Sequence, residues 1–237
     1  MKQRIWELDA LRGSCVLGMV LVHLVYDSVE LYGLIDWEYP PFFHLVKEYG
    51  GILFILISGI CASFGSRPAL QGATILACGL LCTLVTFSLE ALGFLGSHST
   101  IWFGILHCLG CSMLLWSFLR RLPAAVWAIL GGIFAITGHF LLKTRSVGHP
   151  WLVFLGFIPQ WFASPDYFPL LPFFGYFLLG AAAGRVLYPT RRSLLPGVRQ
   201  DVPLLRFLRY WGTHSLLIYL LHQPILMGLC ALLSALL

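Results

Sequence analysis

The stretch from Arg4 to Glu30, RIWELDALRGSCVLGMVLVHLVYDSVE, opens with Arg4 and Glu7 and then carries Asp9, Arg12, His23, Asp27 and Glu30 along a largely apolar run. On a helical wheel of about 100° per residue, these five ionisable groups share a stripe roughly 60° wide. From Asp9 to Asp27 the stripe covers about 27 Å at 1.5 Å per residue, close to the hydrocarbon thickness of a bilayer. A charge at such depth costs roughly 2.5 kcal/mol or more, so intramembrane ionisable groups normally face a protein interior or a wet cavity and carry function. The chemistry on offer is proton transfer. His23 stands one turn before Asp27, so the carboxylate can orient the imidazole and support a developing imidazolium, a general-base arrangement. The plainer alternative has Asp9 and Arg12 paired locally at the helix mouth, with His23 and Asp27 bonded to a neighbouring helix; it leaves the shared face unexplained.

Comparable groups recur on other apolar segments. Glu90 and His107 fall near the same estimated depth as Asp27, and the last segment holds His222 and Gln223 followed by Pro224, which frees a helix carbonyl. Each has a packing alternative, a buried protonated acid for Glu90 and an interhelical hydrogen bond for either histidine. His44, His98 and His139 read as interfacial. Arg12, Arg67, Arg120 and Arg121 gather at helix ends on one side, where they are candidates to hold an anionic phosphate cofactor; lipid headgroup contact is the alternative for the last three. Cys108 and Cys111 form a CxxC beside His107, but no second pair completes a metal set, so no metal is expected.

These side chains need a membrane scaffold to position them. Of 237 residues, 59% are hydrophobic and 11% charged, against about 25% charged in soluble domains. That excludes an ordinary soluble enzyme. The net charge of +5 sits between apolar spans as a topology signal, and no nucleic acid partner is expected. All seven cysteines fall in apolar segments, which argues against a disulfide framework. The first span lacks a signal-peptide pattern and should be retained.

The expected architecture is an all-α polytopic membrane bundle in one domain, 1–237, with about seven spans near 10–33, 50–65, 71–94, 101–119, 123–142, 169–188 and 213–235. With the N-terminus in the cytoplasm, twelve Lys and Arg fall inside and only Lys47, Lys143 and Arg145 outside. Pro150 to Phe162 is too short to span, and Tyr39 to Tyr49 reads as an interfacial approach to the second span. The segment 189–212 reads as a basic cytoplasmic linker.

RIWELDALRG followed by HLVYD, then FILISGI, FGILHCLG, DYFPLLPFFGYFLLG and SLLIYLLHQPIL, together resemble the heparan-alpha-glucosaminide N-acetyltransferase catalytic-domain family in its short bacterial form. The resemblance implies transfer of an acetyl group from cytosolic acetyl-coenzyme A, across the membrane, to an amine or hydroxyl of an extracytoplasmic sugar. By position, Asp9 and Arg12 match the family's D-x-x-R-G motif, His23 its polar residue midway along span one, and His107 and His222 the histidines of span four and the last span. The chain departs from lysosomal members in lacking their luminal domain. It also has only His44 in the loop where they place a proposed catalytic histidine.

The expectation is therefore an integral membrane acyltransferase of the bacterial inner membrane. Its catalytic set is His23, Asp27, His107 and His222, and Asp9, Arg12, Arg67, Arg120 and Arg121 serve acetyl-coenzyme A. Expected partners are a glycan or lipid-linked sugar and membrane lipids, with a homo-oligomer left open. A proton-coupled transporter or flippase uses the same residue types and is the competing reading; an inactive scaffold subunit is a third. Reporter fusions at Arg199 and after Leu237 should report cytoplasm and exterior respectively, and the same side for both would sink the seven-span topology.

Overall fold

The computed structural model describes residues 4–143 and 149–236. Lys2 and Arg145 of the charge count lie outside them. The order is α1 (Trp6–Tyr26) running into a π-helical turn (Asp27–Leu31), α2 (Pro41–Ala62), α3 (Pro68–Ala91), α4 (Ile105–Leu119), α5 (Ala124–Lys143), a 3-10 turn (Pro150–Leu155), α6 (Leu170–Leu187), α7 (Pro203–Thr213) and α8 (Ser215–Leu236). Among the described residues the only β feature is an isolated bridge between Phe103 and Tyr167. The all-helical membrane architecture expected from composition is what folds.

Among the described residues six helices are long and apolar enough to cross a bilayer, and α4, with 15 residues, is a shorter apolar helix. The direction of α8 decides how to count α4. Arg12 bonds Ser215 and Ser28 approaches Cys230, so residue numbers rise together along the two helices and α1 and α8 run parallel. A chain whose first and last spans are parallel crosses an odd number of times. The expected count of seven therefore requires α4 to cross, and it packs antiparallel to α3, with Gly72 facing Gly110 and Gly79 facing His107.

Two boundaries differ from expectation. α2 begins at Pro41, so the stretch read as an interfacial approach forms its first turns; proline is well placed at a helix start because it lacks only an N–H that would go unpaired there. The basic linker contains α7, whose apolar and cationic residues alternate too briefly to register as a span. The segment Pro150 to Phe162 makes only a 3-10 turn and no spanning helix, as its length dictates.

Packing divides the chain into two compact units, the first Met1–Phe54 with Thr190–Leu237 and the second Ile55–Pro189. In the first, α7 lies against the start of α1 at near-contact of the two backbones. A Cβ on Gly13 would overlap the carbonyl of Leu208, and one on Gly212 would overlap the carbonyl of Asp9, so two glycines permit a reciprocal approach. Buried Glu7 adds a tie, its Oε1 accepting the Leu194 N–H at 2.7 Å. These contacts place the 190–213 segment beside the start of α1.

In the second unit, glycine contacts again bring helices close, Gly59 and Gly180 between α2 and α6, and Gly131 and Gly175 between α5 and α6. Buried Trp116 donates to the Ala62 carbonyl at 3.2 Å and meets Trp127 edge-on at 4.6 Å. Replacing Gly212 with valine should separate α7 from α1. The expected result is a cost of about 1–3 kcal/mol from overpacking, read as a lower melting temperature in detergent and new protease cleavage near residues 195–205.

Candidate functional site

The polar stripe of α1 meets a matching stripe of α8. Ser215, His222, Leu226 and Cys230 are the buried residues of α8, at helical spacing along one face. Along the seam Arg12 Nη2 donates to Ser215 Oγ at 2.8 Å, the His23 and His222 rings meet edge-on with centroids 4.9 Å apart, and Ser28 Oγ lies 3.8 Å from Cys230 Sγ. Asp27, fully buried, accepts two hydrogen bonds from Gln223 Nε2, each 3.1 Å. His23, Asp27 and His222, expected to share a site, are brought together.

The internal wiring differs from the expected His23–Asp27 pair. His23 Nδ1 lies 2.9 Å from the Met19 carbonyl and His222 Nδ1 lies 2.6 Å from the Tyr219 carbonyl. A carbonyl only accepts, so both Nδ1 atoms carry the proton and each neutral ring keeps its lone pair on Nε2. Gln223, not His23, holds Asp27. His222 Nε2 and Gln223 Oε1 are buried acceptors without a hydrogen-bond donor. Two unmet acceptors on successive residues make a place for a ligand that brings hydrogens, because a buried polar atom left unpaired costs about 1–3 kcal/mol.

Glu30 leaves the stripe. The π-helical turn, marked by Tyr32 N–H bonding the Asp27 carbonyl at 2.9 Å, widens the helix so that Ser28 turns into the seam and Glu30 is exposed, bonded by Tyr39 Oη at 3.0 Å. π-turns of this kind cluster at functional sites.

Towards the start of α1 the polar groups are cationic. An open cleft of about 370 Å³ is lined by Arg4, Asp9, Arg206, Arg209, Tyr210 and Thr213. Arg4 and Asp9 form a long ion pair at 3.9 Å, and Arg209 and Arg12 also act on Asp9 electrostatically. Deeper along the helix, Arg12 stands within 6.0 Å of the Phe54 ring centroid, and its Nε–H is buried without an acceptor. Arg4, Arg206, Arg209 and Tyr210 were not among the expected cofactor residues. An i,i+3 arginine pair on a short amphipathic segment was the available signal.

The remaining expected residues belong to the second unit. Arg67 precedes α3 and Arg120 caps α4, which puts them with Arg121 at one end of that antiparallel pair, all exposed. His107 is buried with both nitrogens engaged: Nδ1 accepts the Gly104 N–H at 3.2 Å and Nε2 lies 3.2 Å from Thr83 Oγ1, which itself donates to the Ile101 carbonyl at 2.6 Å. This wiring ties the loop before α4 to α3. Asp166 Oδ2 accepts the Ile105 N–H at 3.1 Å, filling the space that a Cβ on Gly104 would need, and Phe168 N–H bonds the Phe103 carbonyl at 2.9 Å. FGILHCLG and DYFPLLP are thus one interlocked turn. Glu90 likewise binds loop groups, accepting from Thr100 N–H at 2.8 Å and His98 N–H at 2.9 Å.

A family model described as Heparan-alpha-glucosaminide N-acetyltransferase, catalytic, matches residues 4–224, a segment that runs from the cleft arginine Arg4 past His222 and Gln223. No curated protein and no solved structure matches the chain.

Thr83→Val removes the bridge between His107 and Ile101. The expected outcome is a loss of about 1–3 kcal/mol in stability from stranded buried groups, seen as a lower melting temperature with the turnover of the folded fraction within a few-fold of wild type.

Proposed function

The chain belongs to the Heparan-alpha-glucosaminide N-acetyltransferase catalytic family, an acetyltransferase family, and on that premise we propose that it moves an acetyl group from cytosolic acetyl-coenzyme A to an amine or hydroxyl of an extracytoplasmic sugar. It is an integral membrane protein by its apolar helices. The observation that carries the mechanism is the buried, unpaired Nε2 of His222 beside the His23 ring.

His222 Nε2 takes the proton of the acceptor N–H or O–H as that atom attacks the thioester carbonyl. Gln223 Oε1 accepts a second hydrogen of the acceptor and holds it against the histidine. Asp27, on the same Gln223 amide, offsets the charge of the imidazolium, since an opposite charge nearby favours the protonated ring. His23 shares the positive charge across the ring pair and keeps the second Nε2 available. When the tetrahedral adduct collapses, the C–S bond breaks, and His222 returns the proton to the leaving thiolate. Arg12, with its unpaired Nε–H, is the donor placed to bind an acceptor atom of the incoming coenzyme. His107, with both nitrogens bonded, keeps the architecture of α3 and α4 in this scheme.

The transporter reading accounts for intramembrane histidines and an acid, but gives the family match no role. A glycan or lipid-linked sugar acceptor and a bacterial inner-membrane location remain part of the proposal.

His222→Ala should lower turnover 10²- to 10⁴-fold, the range for losing a general base, with unchanged expression and melting temperature. His23→Ala should cost less than His222→Ala, and Asp27→Asn less again. The measurement is labelled acetyl transfer from acetyl-coenzyme A to a panel of amino sugars in detergent. Near wild-type turnover in folded His222→Ala would remove that residue as the base, and absence of transfer with binding of a transported solute would sink the enzyme reading.

A further inference from the structure

We infer that the open cleft between α7 and the start of α1 binds phosphate esters, and that its occupant is the nucleotide end of the coenzyme. The inference rests on the acetyl-coenzyme A reading and adds the site at which the donor is gripped. The cleft gathers three guanidinium groups, Arg4, Arg206 and Arg209, against the single carboxylate of Asp9. That leaves an excess of two positive charges in a space of about 370 Å³. Guanidinium forks match phosphate oxygens in pairs, and these hydrogen bonds are about twice as strong as neutral ones.

Arg206 forms no ion pair among the described residues, and Arg209 reaches only the Gln200 side chain at 3.5 Å, the limit of a hydrogen bond. Arg4 is held by Asp9 at 3.9 Å, a contact an anion can replace. The exposed Tyr210 adds an aromatic rim and Thr213 a hydroxyl. The glycine contacts of Gly13 and Gly212 fix α7 in place, so the two arginines at i,i+3 are presented from a docked helix.

The distance also fits. Fourteen residues of α1 separate Asp9, at the cleft, from His23, about 21 Å at 1.5 Å per residue. An extended coenzyme arm anchored by its phosphates at one end delivers its thioester to this depth. Between the two ends Arg12 offers its buried Nε–H to an oxygen of the arm. The cleft arginines and the Arg12 Nε–H thus offer donors on the side where the phosphates enter, and His222 and Gln223 offer buried acceptors further along the seam.

Anionic lipid headgroups share the phosphate chemistry, so the test separates the two sources. Purified full-length protein in nanodiscs of zwitterionic phosphatidylcholine is titrated with labelled coenzyme A, in competition with dephospho-coenzyme A and with pantetheine, which lacks phosphate. Wild type should bind coenzyme A, bind pantetheine about 10-fold or more weaker, and lose affinity as salt rises. Arg206→Gln with Arg209→Gln should weaken coenzyme A about 10- to 100-fold and leave pantetheine within 2-fold, while the corresponding lysine pair recovers part of the loss.

The glutamine double variant binding coenzyme A as wild type does, with the same melting temperature, would overturn the cleft while leaving the acetyltransferase reading intact. No binding of coenzyme A by active wild type would overturn the donor itself. If the glutamine variant fails to fold, the wild-type ranking decides: equal affinity for coenzyme A and pantetheine overturns the proposal. Discs containing phosphatidylglycerol provide the lipid arm. Enrichment of phosphatidylglycerol around wild type but not around the glutamine pair, with equal coenzyme A affinity for the two, assigns the cleft to lipid and overturns the coenzyme assignment.

Discussion

A carboxylate buried where lipid supplies no hydrogen bonds must find its partners within the protein, and Asp27 finds them in one side chain, Gln223. That contact fixes the translation of α8 along α1. With Gln223 opposite Asp27, His222 lies beside His23, Ser215 reaches Arg12 and Cys230 reaches Ser28. A slip of α8 by one turn would strand Asp27 and separate the histidines together, so stability and the geometry of the histidine pair depend on the same contact. The π-helical turn belongs to this constraint: it rotates Ser28 inward after Asp27 while sending Glu30 out to Tyr39.

The stripe on α1 was legible because helical periodicity turns spacing into a face, and the buried groups Asp27 and Ser28 show where that reading extends and where it stops. Glu30 was assigned to the stripe because an ideal wheel has no means of representing a wider turn. The partner of Asp27 was not legible, since it lies 196 residues away and no local pattern couples the two positions. His107 illustrates the converse. Depth and residue type suggested a base, whereas its two bonded nitrogens are visible only once the loop before α4 is folded back onto α3.

The motifs that carried the family resemblance divide by role when seen in place. LDALRG supplies both the cleft acid Asp9 and Arg12, and its Gly13 is the surface on which α7 docks. FGILHCLG and DYFPLLP form a structural clasp in which each residue type answers a backbone need: a missing Cβ at Gly104, an acid on the Ile105 N–H, an imidazole bridging two segments. YLLHQP brings the unpaired acceptors. A motif match therefore mixes residues whose hydrogen bonds are all met within the scaffold with residues such as His222 and Gln223 that keep buried unmet atoms. Where every donor and acceptor is met, as at His107, the side chain is committed to architecture. Where they are left unmet in a buried seam, as at Arg12, His222 and Gln223, something else completes them.

The same accounting bears on how the acetyl group travels. If His222 acted first as a nucleophile, its Nε2 lone pair would attack the thioester and the neighbouring Gln223 Oε1 would have no hydrogen to accept in that half-reaction. If His222 acts as a base towards a bound amine, both acceptors are used at once, one for the proton that leaves and one for the N–H that stays. The second arrangement satisfies two buried atoms where the first satisfies one, a difference of about 1–3 kcal/mol in favour of having the proposed amine acceptor present when the proposed donor reacts. Direct transfer within a ternary complex is accordingly the course to which the pairing of His222 with Gln223 is suited.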